Sequence, residues 1–222
     1  MRVTRHVRIH WYCVAALLVA TGAYARGSAG CPAGVDPSAE KALGQGTETA
    51  GCKTRMSHGF PLPDPACTPG AINPTVTISV LKSGSFKTPC VRDQQSSPAQ
   101  KGKTYAAYGI KKPSGNTGQH QTCELDHLVS LELGGGDDID NIWPQCGPKG
   151  KPLNSRFFKI KDGVENFLAA QVRSGAMSLD TAQKDIAEDW TQFIADAHAA
   201  HGSGSGFGSD QTPPTKHRKK KT

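Results

Sequence analysis

The sequence predicts an α+β fold: a β-hairpin lying on a helix, with a second C-terminal helix and a loop-rich, disulfide-stapled N-terminal part. Three observations predict it. Residues 123–133 alternate apolar and polar positions ahead of a glycine-rich turn. Residues 153–197 carry apolar side chains at helical spacing in two runs. Beyond residue 25 the chain holds Cys31, Cys52, Cys67, Cys90, Cys123 and Cys146, an even set with no Cys-x-x-Cys pair.

Residues 1–25 read as a cleaved signal peptide: Arg2, Arg5 and Arg8, a short apolar stretch from Cys13, and Ala23-Tyr24-Ala25 as a small-x-small cleavage site. The expected location is secreted or periplasmic, an oxidising compartment in which disulfides outrank zinc. Fifteen pairings of six cysteines are open. The sequential one is preferred (Cys31–Cys52, Cys67–Cys90, Cys123–Cys146), and a hairpin brings the last pair together. No 18-residue apolar run occurs, so no stable membrane span is expected in the mature form. The net charge of +7 is an end effect. It comes from the three arginines of the leader and from Lys216, Arg218, Lys219, Lys220 and Lys221; the body between them is close to neutral.

Residues 26–66, rich in Gly, Pro, Ser and Thr, read as a loop-rich arm. A main domain follows over 67–201, and 202–222 read as a flexible basic tail. Within the domain, Thr75–Leu81 has the β-branched alternation of a strand. Residues 96–109 suit a short helix ending at Gly109, and 111–121 a polar loop. Leu125, His127, Val129, Leu131 and Leu133 share one face of a strand. After a turn at 134–138, Asn141–Trp143 returns as a strand stopped by Pro144. Leu153 to Val172 form one helix with Pro152 in its first turn, and Ser178 caps a second that runs to Ala197. Trp143 and both apolar stripes belong to the core.

The chemistry-bearing residues lie between Glu124 and Asn154. A hairpin seated on the following helix would gather Asp126, His127 and Asn154: a carboxylate, an imidazole and an amide oxygen. The two oxygen groups are hard ligands of the kind Mg²⁺ takes alongside water and phosphate, and the imidazole is left to act as a base. Lys149, Lys151, Arg156, Lys159 and Lys161 cluster nearby as candidate phosphate contacts.

The Asp126-His127 pair, the Gly134-Gly135 turn and an Asn 14 residues after His127 resemble the HNH, or ββα-metal, endonuclease family. A wider likeness to exported bacterial HNH-like proteins runs from about residue 67 to 195. It includes Thr68 to Thr77, Ala107-Tyr108-Gly109, Lys161-Asp162 with Glu165, and Leu179 to Trp190. The resemblance implies a ββα-metal core with His127 as general base. Asn141 would fix the loop and the His orientation, and Asp126 and Asn154 would be ligands to Mg²⁺ or another divalent metal. It implies hydrolysis of phosphodiester bonds in DNA, or in RNA, with little sequence preference. An immunity protein is a conceivable partner of such an exported enzyme. Many members carry His where Asn154 stands, and residues 146–151 form an insertion before the helix. Two other classes compete: an inactive HNH-like module that binds nucleic acid or metal, and a disulfide-stapled interaction protein.

Overall fold

The computed structural model describes residues 30–46, 49–92 and 98–201; the signal peptide and the basic tail expected from the sequence lie outside them. The architecture is α+β, with helices and small antiparallel strand pairs. β1 (Lys41–Ala42) pairs with β4 (Ala71–Ile72), and β2 (Arg55–Ser57) with β3 (Phe60–Leu62). β5 (Cys123–His127) pairs with β6 (Ile142–Cys146). The helices are α1 (Ile78–Lys82), α2 (Pro98–Ala107), α3 (Phe157–Ser174), α4 (Leu179–Asp189) and α5 (Ile194–His201).

Several expectations change. Thr75–Leu81 is no strand: Thr77 caps α1, its side chain accepting the Val80 N–H, and the cap decides against the β-branched pattern. β5 stops at His127, and Leu131–Leu133 form a 3-10 turn capped by Ser130. β6 passes through Pro144 rather than ending there; in a two-stranded sheet a missing N–H can face away from the partner strand. α3 begins at Phe157, after a 3-10 turn at Leu153–Ser155, so Pro152 and Asn154 precede the helix. The second expected helix divides, because Asp189 accepts the Thr191 N–H at the start of a 3-10 turn between α4 and α5. The Ser178 cap is as expected, with the Thr181 N–H on its side chain, and so is the helix stop before Gly109, which has φ +61°.

One core cluster joins Phe60, Leu62, Val129, Leu133, Val164, Leu168, Ile186 and Trp190, and the Trp190 indole donates to the Pro61 carbonyl at 3.0 Å. The N-terminal arm is therefore part of the same core as α3 and α4. Trp143, fully buried, packs with Leu128, Tyr108 and Cys52.

The disulfides are Cys31–Cys90, Cys52–Cys67 and Cys123–Cys146. The third is the expected one, and the first two replace the sequential pairing. The β2–β3 hairpin returns the chain so that Cys67 meets Cys52. The segment before β1 is carried back across residues 73–75, where Asn73 donates to the Asp36 carbonyl at 2.7 Å, and that leaves Cys31 with Cys90. Three such bonds are compatible with an oxidising environment. Among the described residues no helix is long and apolar enough to cross a membrane.

Candidate functional site

β5 and β6 pair in register Cys123↔Cys146, Leu125↔Pro144, Asp126↔Trp143 and His127↔Ile142, and α3 packs against both strands. Consecutive strand residues point to opposite faces, which separates the two members of the Asp-His pair. Asp126 turns to α3, where the Lys161 ammonium lies 3.1 Å from its Oδ2. His127 turns the other way, and its Nε2 lies 2.7 Å from Asp137 Oδ1. A carboxylate only accepts hydrogen bonds, so Nε2 is the nitrogen that donates to Asp137, and in the neutral ring the lone pair would then lie on Nδ1. His127 retains 13% of its side-chain exposure and Asp137 1%. In front of them opens a hollow of about 260 Å³, walled by Arg92, Tyr105, Lys112 and Gln121 among others.

Asn141 is the brace of the loop between the strands. Fully buried, its Oδ1 accepts the Val129 N–H at 2.8 Å and the Ala71 N–H at 3.3 Å. Its Nδ2 donates to the Val129 and Gly136 carbonyls at 2.9 and 2.8 Å. The Leu128 N–H is held by the Asn141 carbonyl at 2.7 Å. One amide thus ties the segment leaving His127 to the turn carrying Asp137 and to β4. The turn also explains its glycines: Gly134 has φ +72°, and a Cβ on Gly135 would run into the Val129 carbonyl.

Lys161, expected at the surface, has no exposed side-chain area. Its ammonium donates to the His127 carbonyl at 2.6 Å, pairs with Asp126, and bonds Glu165 one helical turn along. Burial alone would lower its pKa, but Asp126 and Glu165 more than offset that and hold it above the ordinary lysine value. Burial pushes Asp126 above the usual carboxylate range, against the pull of Lys161. Glu124 is raised by burial and then by Asp162 and Glu165.

The other candidate phosphate contacts divide. Arg156 is buried and bonds the Pro148 carbonyl. Lys159 pairs with Asp162 at 2.7 Å. Lys149 and Lys151 are exposed. So Lys161 and Arg156 are structural, Lys159 is engaged by its neighbour, and Lys149 is the member that stands over an open hollow. Asn154 is exposed on the turn before α3 instead of facing Asp126 from the helix.

Asp126, the carboxylate expected to bind a metal, sits on the α3 side of the strand. Its Oδ2 is buried and makes no hydrogen bond beyond the Lys161 contact, and carboxylate oxygens of Glu124 and Glu165 bear on it electrostatically. Among the described residues no three His, Cys, Asp or Glu side chains close a metal site by themselves. An oxygen site completed by water and substrate phosphate suits Mg²⁺, which keeps several waters. Of the two expected oxygen ligands, Asp126 lies beside the strand pair with Lys161 already on its Oδ2, and Asn154 does not face it.

Sequence reasoning missed two residues. Asp137 was read as part of a turn, although an Asp ten residues after His127 on the return from a glycine turn is the available signal. Lys161 looked like one more cation in a basic run. Compared with protein-family models, with characterised proteins and with solved structures, the chain finds no match.

The arm meets the site through Glu40, which reaches the turn beside Asp137. Burial, its hydrogen bond to Asp138 and the charges of Asp138 and Asp140 push its carboxyl up to about 8, from an ordinary 4.5. The protonated acid is favoured in the fold. Its stabilisation is complete below about pH 4.5 and is lost as pH rises through about 8. Glu40 is exposed overall, so solvent screens these charges and the effect is modest. Glu40→Gln, a mimic of the protonated acid, is expected to flatten the fall in melting temperature between about pH 5 and pH 8. A fall as steep as the parent's would refute the assignment.

Proposed function

We propose that the chain is an exported ββα-metal, HNH-like nuclease that hydrolyses phosphodiester bonds of DNA with little sequence preference. The observation that carries this reading is the His127–Asp137 contact, an imidazole with one nitrogen held by a buried carboxylate and the other left to work. It stands on a strand pair followed by a helix, braced by Asn141 as the resemblance leads one to expect.

His127 Nδ1 would take the proton of an attacking water, with Asp137 holding the ring and stabilising the imidazolium that forms. Lys161 would hold the His127 backbone and the Asp126 carboxylate in one geometry. Asp126 would hold the divalent ion, and Mg²⁺, when bound, supplies polarisation of the phosphoryl oxygen and stabilisation of the leaving alkoxide. Recognition through backbone phosphates would give the little sequence preference expected.

A second reading is favoured by a specific observation: Lys161 already neutralises Asp126. It describes a nucleic-acid-binding module that no longer hydrolyses. Magnesium titration separates the two without an activity assay. On the nuclease reading Mg²⁺ raises the melting temperature of the parent, as any ligand of the folded state does, and not that of Asp126→Asn. An equal response of the two proteins removes Asp126 as ligand.

A further inference from the structure

The hollow in front of His127 does not end there. A second, larger one of about 940 Å³ adjoins it across Lys112 and the Cys123–Cys146 disulfide, which both share in part. Lys111, Lys112 and Lys149 stand in its walls, and no acidic residue lines it. Arg92 adds a fourth cation at the His127 end, where Glu124 and Asp137 are the acidic residues in the walls. None of the four has a salt bridge to a described residue. Apolar groups line the rest of the larger hollow, Ile110, Pro113, Pro148 and the half-buried ring of Phe157, together with the hydroxyls of Ser114 and Thr122.

From this placement we infer that the two hollows form one track for a single strand of nucleic acid, leading its backbone past Lys149, Lys111, Lys112 and Arg92 to the His127–Asp137 pair. The inference rests on the nuclease reading for what happens at His127, but the track is a binding site in its own right. Its two chemistries belong to a single strand. Cations follow the phosphates, and an aromatic and apolar floor takes the faces of unstacked bases. A duplex keeps those faces inside its own stack and would present only phosphates, for which a concave, apolar-floored channel is a poor match. The track also replaces the phosphate contacts expected from the sequence. Lys149 is kept, while Lys111, Lys112 and Arg92 take the place of the buried or paired Arg156, Lys159 and Lys161.

The test uses the full exported chain with disulfides intact, in chelator so that nothing is cut. A fluorescent oligothymidylate and a duplex of equal length are titrated across a salt series. Three proteins are compared: the parent, Lys111→Ala/Lys112→Ala/Lys149→Ala, and a control of equal charge loss, Lys41→Ala/Lys53→Ala/Lys184→Ala, whose lysines lie on exposed surface outside the track. The parent should bind the single strand more tightly than the duplex. On single strands each lost phosphate contact removes about 0.7 from the slope of log affinity against log salt. The track variant should therefore lose about 2 from its slope, and the control should stay near the parent. Equal or tighter duplex binding overturns the single-strand assignment, and equal losses in the two triple variants overturn the track. Because binding is read without cleavage, a protein that binds as described and cuts nothing would sink the nuclease reading and leave the track standing. One that cuts while the track variant binds like the parent would do the reverse.

Discussion

Replacing His127 by alanine is expected to slow strand cleavage by about 10²–10⁴-fold, the usual worth of a positioned proton transfer. The fold should tolerate the change, since the His127 side chain is partly exposed and the bond from Lys161 goes to its backbone carbonyl. Asp137→Asn gives the companion result. An amide in place of the carboxylate no longer holds the Nε2–H in one orientation or stabilises the imidazolium. kcat should fall with KM nearly unchanged, the signature of an interaction made in the transition state. If Asp137 merely held the turn together, Asp137→Asn would lower the melting temperature and move both constants.

Lys161→Met is expected to lower stability by about 3–5 kcal/mol, the cost of removing one partner from a buried ion pair. The side chain has no exposed area, and it serves Asp126, Glu165 and the His127 carbonyl at once. Its loss strands a buried carboxylate and an unpaired backbone oxygen. For a fold of this size that is a drop in melting temperature on the order of 10 °C. Asp126→Asn/Lys161→Met should recover part of the loss, because the two residues are coupled and the stranded charge is gone. A lysine that only contacted phosphate at the surface would behave otherwise: Lys161→Met would melt like the parent and bind nucleic acid less tightly.

What the sequence made legible was local. The Cys123–Cys146 bond follows from a hairpin whose ends meet in register, and the pairing Cys123↔Cys146 is what the structure has. The Ser178 cap and the stop at Gly109 need only neighbouring residues. Asn141 was expected to fix the loop on the family resemblance alone; its burial and its bonds to Val129 and Gly136 are what the structure adds. The misreadings depend on distant parts of the chain or on a competing local bond. Cys31 meets Cys90 because the arm folds back over residues 73–75, a path no spacing encodes. Thr77 caps a short helix where β-branched residues suggested a strand. Lys161 resembles its neighbours Lys159 and Lys151 in sequence, and its burial comes from the side of α3 that meets Asp126 and the His127 carbonyl; α3 itself starts four residues later than the apolar pattern suggested. That same shift leaves Asn154 outside the helix.

The most direct test is strand scission by purified, disulfide-bonded protein. Labelled single-stranded and duplex DNA are offered in Mg²⁺ and in chelator, with His127→Ala prepared alongside to expose any contaminating nuclease. The account predicts cleavage by the parent in Mg²⁺, none in chelator, and a rate at least about 10²-fold lower for His127→Ala. A parent that cuts neither substrate in Mg²⁺, or a His127→Ala protein that cuts as fast as the parent, would contradict it.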